Sequence, residues 1–352
     1  MKILFLAAKL DRFGGIEKYN RTFIATLREF KQDVIVVERP LGGFFAKASF
    51  LVYVIFSVLW YRPDFIVCAH LNFSLICYWL YKILRINYSV SVYGIEVANI
   101  KSAAKKHALA NATHVIYLFE ATASRVVQQI PSVQSKLFKV PNSVDGSTFY
   151  IKQKSKSLTS RFGLFDSKIV ATIGRMSKLD GDNKGYRRVI EAMSEVIKEV
   201  PDVKYFLVGN GDDVAGVKEL VRERSLTQSV IVVDAPSNAE LVDYYNLADV
   251  FVMPSKNEGF PPIVILEALS CGVPVIVGNQ LGAKELIKDR FGLVVPSDDV
   301  RSIGVAIVKM LKREVVPQIF NKGAVRKTTI EMFGGDVYRE RVRQFVESIR
   351  IQ

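Results

Sequence analysis

Short, mostly apolar runs recur along the chain, most of them followed by a stretch of helical periodicity. The first, Ile3–Ala8, closes at a Gly14-Gly15 turn, and a helical pattern runs over Glu17–Phe30. Further runs stand at Asp33–Val37, Phe65–Ala69, Tyr88–Val92, Val115–Tyr117 and Leu137–Val140, with Pro63-Asp64 as a break before Phe65. A strand with no polar face is covered on both sides, and alternation with helices makes the sheet parallel.

Around Lys152–Ser160 the chain turns polar and loses its period, which reads as a linker. The pattern then restarts, with strands at Ile169–Ile173, Lys204–Val208, Val230–Val233, Val250–Met253, Val273–Val277 and Gly292–Val295. Helices are expected at Arg187–Glu199, Val214–Glu223, Asn238–Ala248 and Ile263–Ser270, and a last one at Asp336–Ile349. At 352 residues the chain is long enough for two cores. The expectation is an α/β fold of two Rossmann-like doubly wound domains facing a central cleft. Residues 1–150 form the first and 165–332 the second, with a linker over 151–164 and a C-terminal helix within 333–352 that crosses back. Ligands of such sheets bind beyond the carboxyl ends of the strands.

Two stretches, Ala48–Tyr61 and Leu71–Leu84, are apolar almost throughout. At about 14 residues each, they fall short of the roughly 20 that a membrane span needs. They fit buried helices, but a helix apolar all round also suits one partly sunk in lipid. Charge adds to the second reading. The net charge is +13; residues 1–150 hold 18 Lys and Arg against 9 Asp and Glu, the remainder 30 against 26. Lys82, Arg85, Lys101, Lys105 and Lys106 lie near the second stretch in sequence. An anionic membrane surface is the expected acidic partner. Nucleic acid is not, since the chain has no RNP, zinc-finger or recognition-helix pattern. Cys68, Cys77 and Cys271 sit in apolar runs without metal-ligand spacing, as buried thiols of a cytoplasmic protein do. Asp11 and Arg12 interrupt the apolar N-terminus before a signal peptide can form, so Met1–Leu6 reads as a first strand.

The chemistry concentrates in Pro254–Ala268. A strand ends there, a loop carries Glu258 and Gly259, and a helix opens behind Pro261-Pro262. The N–H groups at a helix start suit a diphosphate. Glu267, about a turn inside, could accept two ribose hydroxyls, and Glu258 could face a donor sugar. Gly174-Arg175 follows another strand, with Lys184-Gly185 further on; Arg and Lys can neutralise a diphosphate leaving group. Val208-Gly209-Asn210-Gly211 ends a third strand. Val214 holds the place a third glycine would take in a dinucleotide fingerprint, and Gly14-Gly15 lacks that form too, so a nicotinamide enzyme is disfavoured.

In their order and spacing these motifs resemble glycosyltransferase family 4, a retaining family with the GT-B fold. The resemblance runs from Gly14-Gly15 through Pro141–Asp145, Gly174-Arg175, Lys184-Gly185, Gly209-Asn210-Gly211, Pro254-Ser255, Glu258-Gly259-Phe260 and Glu267-Ala268 to Cys271–Pro274 and Gly292–Val294. It implies a nucleotide-sugar donor held mostly by the second domain, with Arg175 and Lys184 on its diphosphate, Glu258 on the sugar and Glu267 on the ribose. Gly174, Gly209, Gly211, Gly259, Phe260, Pro261, Ile263 and Val264 would line the donor, and Gly14 and Gly15 would approach it from the first domain. The acceptor expected is a glycan or a lipid-linked one, met on the inner face of the cytoplasmic membrane. No cofactor and no metal are expected, since cations stabilise the leaving group.

The chain departs from the family at three places. Eight residues separate Glu258 from Glu267 where seven are usual, and Pro261-Pro262 offer no N–H groups. Tyr93-Gly94 stands where the family often has His-Gly, so Tyr93, Gly94 and His70 become the acceptor-side candidates. The loop Ser177–Asn183 between Arg175 and Lys184 is longer than in many members. Two competing readings are a nucleotide-sugar 2-epimerase of the same architecture and a non-catalytic nucleotide-sugar-binding protein.

Overall fold

All twelve expected strands form, in two six-stranded parallel sheets. The structure, a computed structural model, describes residues 1–11, 14–40, 42–234, 236–256, 261–280, 282–287 and 290–350. The chain divides into two units, Met1–Asn142 with Asp336–Gln352, and Ser143–Gly335.

The first unit runs β1 (Lys2–Ala7), α1 (Gly15–Glu29), β2 (Asp33–Glu38), α2 (Phe44–Tyr61), β3 (Phe65–Cys68), α3 (Ser74–Leu84), β4 (Asn87–Val92), α4 (Ala103–Asn111), β5 (His114–Tyr117), α5 (Glu120–Gln129) and β6 (Leu137–Lys139). Its sheet order is β2-β1-β3-β4-β5-β6. Alternate residues of each strand feed opposite cores. Leu4, Leu6, Ile66, Cys68 and Val90 meet α2, α3 and α4 on one face. Ile3, Phe5, Phe65 and Val67 meet α1 on the other. The last helix, α14 (Gly335–Arg350), packs on that second face through Tyr338, Val342, Phe345, Val346 and Ile349, with Phe345 edge-on to Phe23 at 5.7 Å.

The second unit runs α6 (Lys156–Phe162), β7 (Lys168–Ile173), α7 (Tyr186–Glu199), β8 (Val203–Val208), α8 (Val214–Glu223), β9 (Val230–Val233), α9 (Asn238–Leu247), β10 (Val250–Met253), α10 (Ile263–Ser270), β11 (Val275–Gly278), α11 (Ala283–Ile287), β12 (Gly292–Val295), α12 (Val300–Leu311) and α13 (Lys322–Phe333). The sheet order is β12-β11-β10-β7-β8-β9, so the chain reverses direction across the sheet between β7 and β10. In the first unit the same reversal falls between β1 and β3.

Two expectations change. The polar stretch read as a linker holds helix α6, because Ser155 supplies an N-cap hydroxyl and Gly163, at φ +64°, a left-handed stop. None of its side chains is fully buried, so no apolar period marks it. The segment before it is fastened to the second unit: Asn246 accepts from Lys152 N at 2.7 Å and donates to Tyr150 O at 2.9 Å, and Lys152 pairs with Asp243. Helix α2, in turn, is not a buried helix. It buries one narrow stripe, Phe50, Val54, Val58 and Tyr61, and leaves large apolar side chains exposed on its remaining sides. Among the described residues no helix is long and apolar enough to cross a membrane.

Arg326 on α13 donates to Gly146 O at 2.8 Å and to Phe149 O and Ser270 O at 2.6 Å each. A charged donor serving three carbonyls is costly to remove. Arg326→Ala should lower the unfolding free energy by about 2–3 kcal/mol in urea titrations; a loss below about 0.5 kcal/mol would mean that water replaces the guanidinium there.

Candidate active site

The reversal between β7 and β10 opens a crevice at the carboxyl ends of those strands, the usual ligand position in an open α/β sheet. Gly174-Arg175 leaves β7 there and Pro254-Ser255-Lys256 leaves β10. Lys184 joins them: a Cβ built on Gly174 would lie 3.4 Å from Lys184 Cδ. The eight residues between Arg175 and Lys184 thus close back into one place, through a short 3-10 turn at Lys178–Asp180 and a left-handed Gly181. The Arg175 guanidinium is half exposed and pairs with Asp180 at 3.3 Å.

The turn carrying Lys184 is fixed by a residue that sequence reasoning missed. Arg188, in the first turn of α7, is buried. It donates to Asp182 O at 2.8 Å and to Pro254 O at 3.3 Å, and pairs with Asp182 at 3.2 Å and Asp298 at 3.1 Å. Lys256 N donates to Asn183 O at 2.9 Å, and the Lys256 ammonium shares Asp298. Gly185, at φ +84°, has no room for a side chain, since a Cβ would meet Pro254 Cγ at 2.7 Å. One guanidinium therefore clamps the Lys184 loop to the strand end that leads toward Glu258. The available signal was a charged residue on the apolar face of an amphipathic helix.

Glu258, Gly259 and Phe260 lie outside the described residues. Beyond them Pro261 is buried and Pro262 is the N-cap of α10, so the helix starts after both prolines and they remove no bond from its ladder. Ile263 and Val264 begin the helix, and their N–H groups belong to the turn that has no intrahelical acceptor. Glu267 is buried and accepts the Tyr245 hydroxyl at 2.7 Å. Burial, with the nearby carboxylate, pushes the Tyr245 hydroxyl pKa far up, so it stays a donor. A carboxylate has several acceptor positions, so this bond and bonds from ribose are compatible. Tyr245 is a second residue that the sequence did not single out.

Gly209 and Gly211 have a structural reason of their own. At φ +156° and +148° they run so close to the β7 loop that a Cβ would sit 2.0 Å from Gly174 O and 1.8 Å from Met176 O. Gly174 N donates to Val208 O and Met176 N to Asn210 O, zipping the two loops together. They shape the crevice floor whether or not a ligand touches them.

In the first unit, Gly14 caps α1 and Gly15 opens it, at the end of the loop that leaves β1. His70 follows β3, the neighbour across that unit's reversal. Its Nδ1 accepts from Asn72 N at 3.1 Å, which puts the proton of the neutral ring on Nε2. Burial lowers its pKa, Lys105 lowers it further, and Glu96 opposes them. Tyr93 corrects an expectation. It is buried, edge-on to Tyr19 at 5.7 Å, and its hydroxyl lies 2.8 Å from Ala69 O and 2.9 Å from Asn20 Oδ1. Turned into the core, that hydroxyl is not presented to an acceptor; Gly94 beside it is at φ +136°.

Asp180-Gly181-Asp182 has the Asp-x-Asp form in which two carboxylates often hold a divalent cation. Here Asp180 pairs with Arg175, and Asp182 with Arg188 and the Arg187 N–H at 3.1 Å. Among the described residues no three His, Cys, Asp or Glu gather as a metal site.

Two glycines separate packing from access. Gly211→Ala meets backbone at 1.8 Å, whereas Gly15 has nothing within 4 Å of a built Cβ. The first should cost about 3 kcal/mol or more of stability in denaturant titration, the second less than about 1 kcal/mol. Equal effects would remove the packing account of Gly211.

Residues 161–327 match the family model described as glycosyl transferases group 1. A relative is the GDP-mannose-dependent alpha-(1-6)-phosphatidylinositol monomannoside mannosyltransferase of Mycolicibacterium smegmatis, 30% identical over 180 residues, covering 49% of this chain and 46% of that protein. The chain spans about half the length of the curated relatives it matches. Among solved structures, sucrose-phosphate synthase from Thermosynechococcus elongatus aligns over 99% of both chains, with a TM-score of 0.84 and 19% identity. HepE of Anabaena in complex with UDP aligns over 99% of this chain and 100% of its own, with a TM-score of 0.78 and 17% identity. At such identities the structures speak for the fold, which is GT-B. Over residues 161–327, which lie in its second unit, the chain is similar to the glycosyl transferases group 1.

Proposed function

We propose that the chain moves a hexose-type sugar, with retention and without a metal, from a UDP- or GDP-linked donor to a lipid-linked or surface-polysaccharide acceptor. The observation that carries this is the meeting of Gly174-Arg175, Lys184 and the β10 loop in the crevice of the second unit. Two cations gathered at the carboxyl end of β7, beside the loop that leaves β10, suit a diphosphate better than any other common ligand. The mannosyltransferase relative, by its name, uses GDP-mannose and a phosphatidylinositol mannoside, which favours a lipid-linked acceptor on the inner face of the cytoplasmic membrane.

In the reaction the bond from the anomeric carbon to the β-phosphate oxygen breaks, and its electron pair stays on that oxygen. The acceptor hydroxyl forms the new bond on the same face and gives its proton to the departing oxygen. Arg175 and Lys184 stabilise the charge as it develops. Glu258 addresses the sugar and Glu267, held by Tyr245, the ribose.

Arg175→Ala and Lys184→Ala should each lower turnover about 100-fold, close to 3 kcal/mol, with little change in melting. Near-normal turnover in both would remove the diphosphate site. Glu258→Gln should damage turnover more than nucleotide binding, and Glu267→Gln the reverse; calorimetric titration with UDP and GDP beside rate measurements separates them. Transfer should survive EDTA, and a strict need for divalent ion would turn attention to Asp180 and Asp182.

A further inference from the structure

The first unit carries an apolar surface that nothing in its own fold covers. Val52, Phe56, Leu59 and Trp60 of α2 are exposed, as are Trp79 and Ile83 of α3; Trp60 is 81% and Trp79 61% accessible. The two helices lie on one face of the sheet, where Phe50 of α2 touches Phe73, just ahead of α3, at 5.0 Å. They lead into β3 and β4, which pair, so their C-terminal ends lie side by side. Arg62 and Arg85 end them, both in the left-handed conformation.

The charge around this surface says what covers it. Residues 39–95 carry five cations, Arg39, Lys47, Arg62, Lys82 and Arg85, and one acid, Asp64. Asp64 accepts from Lys2 N at 2.7 Å. A second copy of this chain would bring cations against cations. An anionic phospholipid surface offers both the apolar interior and the opposite charge. Tryptophan beside arginine at a helix end is also the chemistry of a bilayer interface.

We propose that the outer faces of α2 and α3 lie in the plane of an anionic bilayer and sink Phe56, Leu59, Trp60 and Trp79 below its headgroups. This deepens the membrane location given above and rests on that reading for its purpose, which is to hold the enzyme where a lipid-linked acceptor is.

Trp60 and Trp79 are the only tryptophans of the chain, so selectively excited emission reports from this surface alone. With phosphatidylglycerol–phosphatidylcholine vesicles the emission should move to shorter wavelength and be quenched by brominated acyl chains. Co-sedimentation should be about tenfold or more stronger than with phosphatidylcholine alone, and salt should weaken it only in part. The double variant Phe56→Asp with Leu59→Asp should lose vesicle binding about tenfold or more while melting and acceptor-free donor hydrolysis stay unchanged. Unchanged emission with anionic vesicles, undiminished binding by the double variant, or a stable dimer in solution that shields both tryptophans would each overturn the proposal. Vesicle binding needs neither donor nor acceptor. Loss of hydrolysis with binding intact would sink the transfer reading alone, and the opposite pattern this surface alone.

Discussion

At the end of β7 the backbone of Gly174–Met176 lies against the backbone of the β8 loop, with no space for side chains between them. The β8 loop approaches so closely that Gly209 and Gly211 cannot carry a Cβ, and the Lys184–Gly185 turn meets Pro254 as tightly. Three loops that would each wander if separate are therefore held as one rim. The consequence for chemistry is positional. Lys184 reaches the crevice because Gly185 can sit against Pro254 at φ +84°, and the path toward Glu258 starts from the strand end that Arg188 grips. Preorganised charge is what stabilises a leaving group, and here the order comes from backbone contact before any ligand enters.

The twelve strands were legible because most are apolar on both faces and the period breaks cleanly at glycine, proline and acidic turns. The gathering of Gly174, Arg175 and Lys184 was legible only through the order of motifs. Nothing local says that Ser177–Asn183 folds back upon itself. Helix α6 was hidden because exposed helices show no apolar stripe. Arg188 and Tyr245 were hidden for the opposite reason, as polar residues buried among apolar ones whose partners, Pro254 O and Glu267, are far along the chain. Tyr93 misled because sequence gives the position of a hydroxyl and not its direction. The composition of Ala48–Tyr61 likewise fixed a helix but not its burial. Only the stripe of Phe50, Val54 and Val58 shows that most of α2 faces outward.

The ion pairs of the second unit sort into those that can be exchanged and those that cannot. Arg175 with Asp180 is half exposed, and such pairs contribute roughly 0–1 kcal/mol. A diphosphate, with more charge and more acceptor oxygens, displaces Asp180 at small cost. Arg188 with Asp182 is nearly enclosed, so losing either partner would strand a buried charge, a penalty of about 3–5 kcal/mol. The difference in exposure assigns the difference in role. A guanidinium meant to bind and release a ligand on every turnover has to sit in a shallow well, and one meant to hold the rim in place has to sit in a deep one. Arg175 and Arg188, thirteen residues apart by number, occupy those two situations in the same crevice, and the sequence presents them as two equivalent arginines.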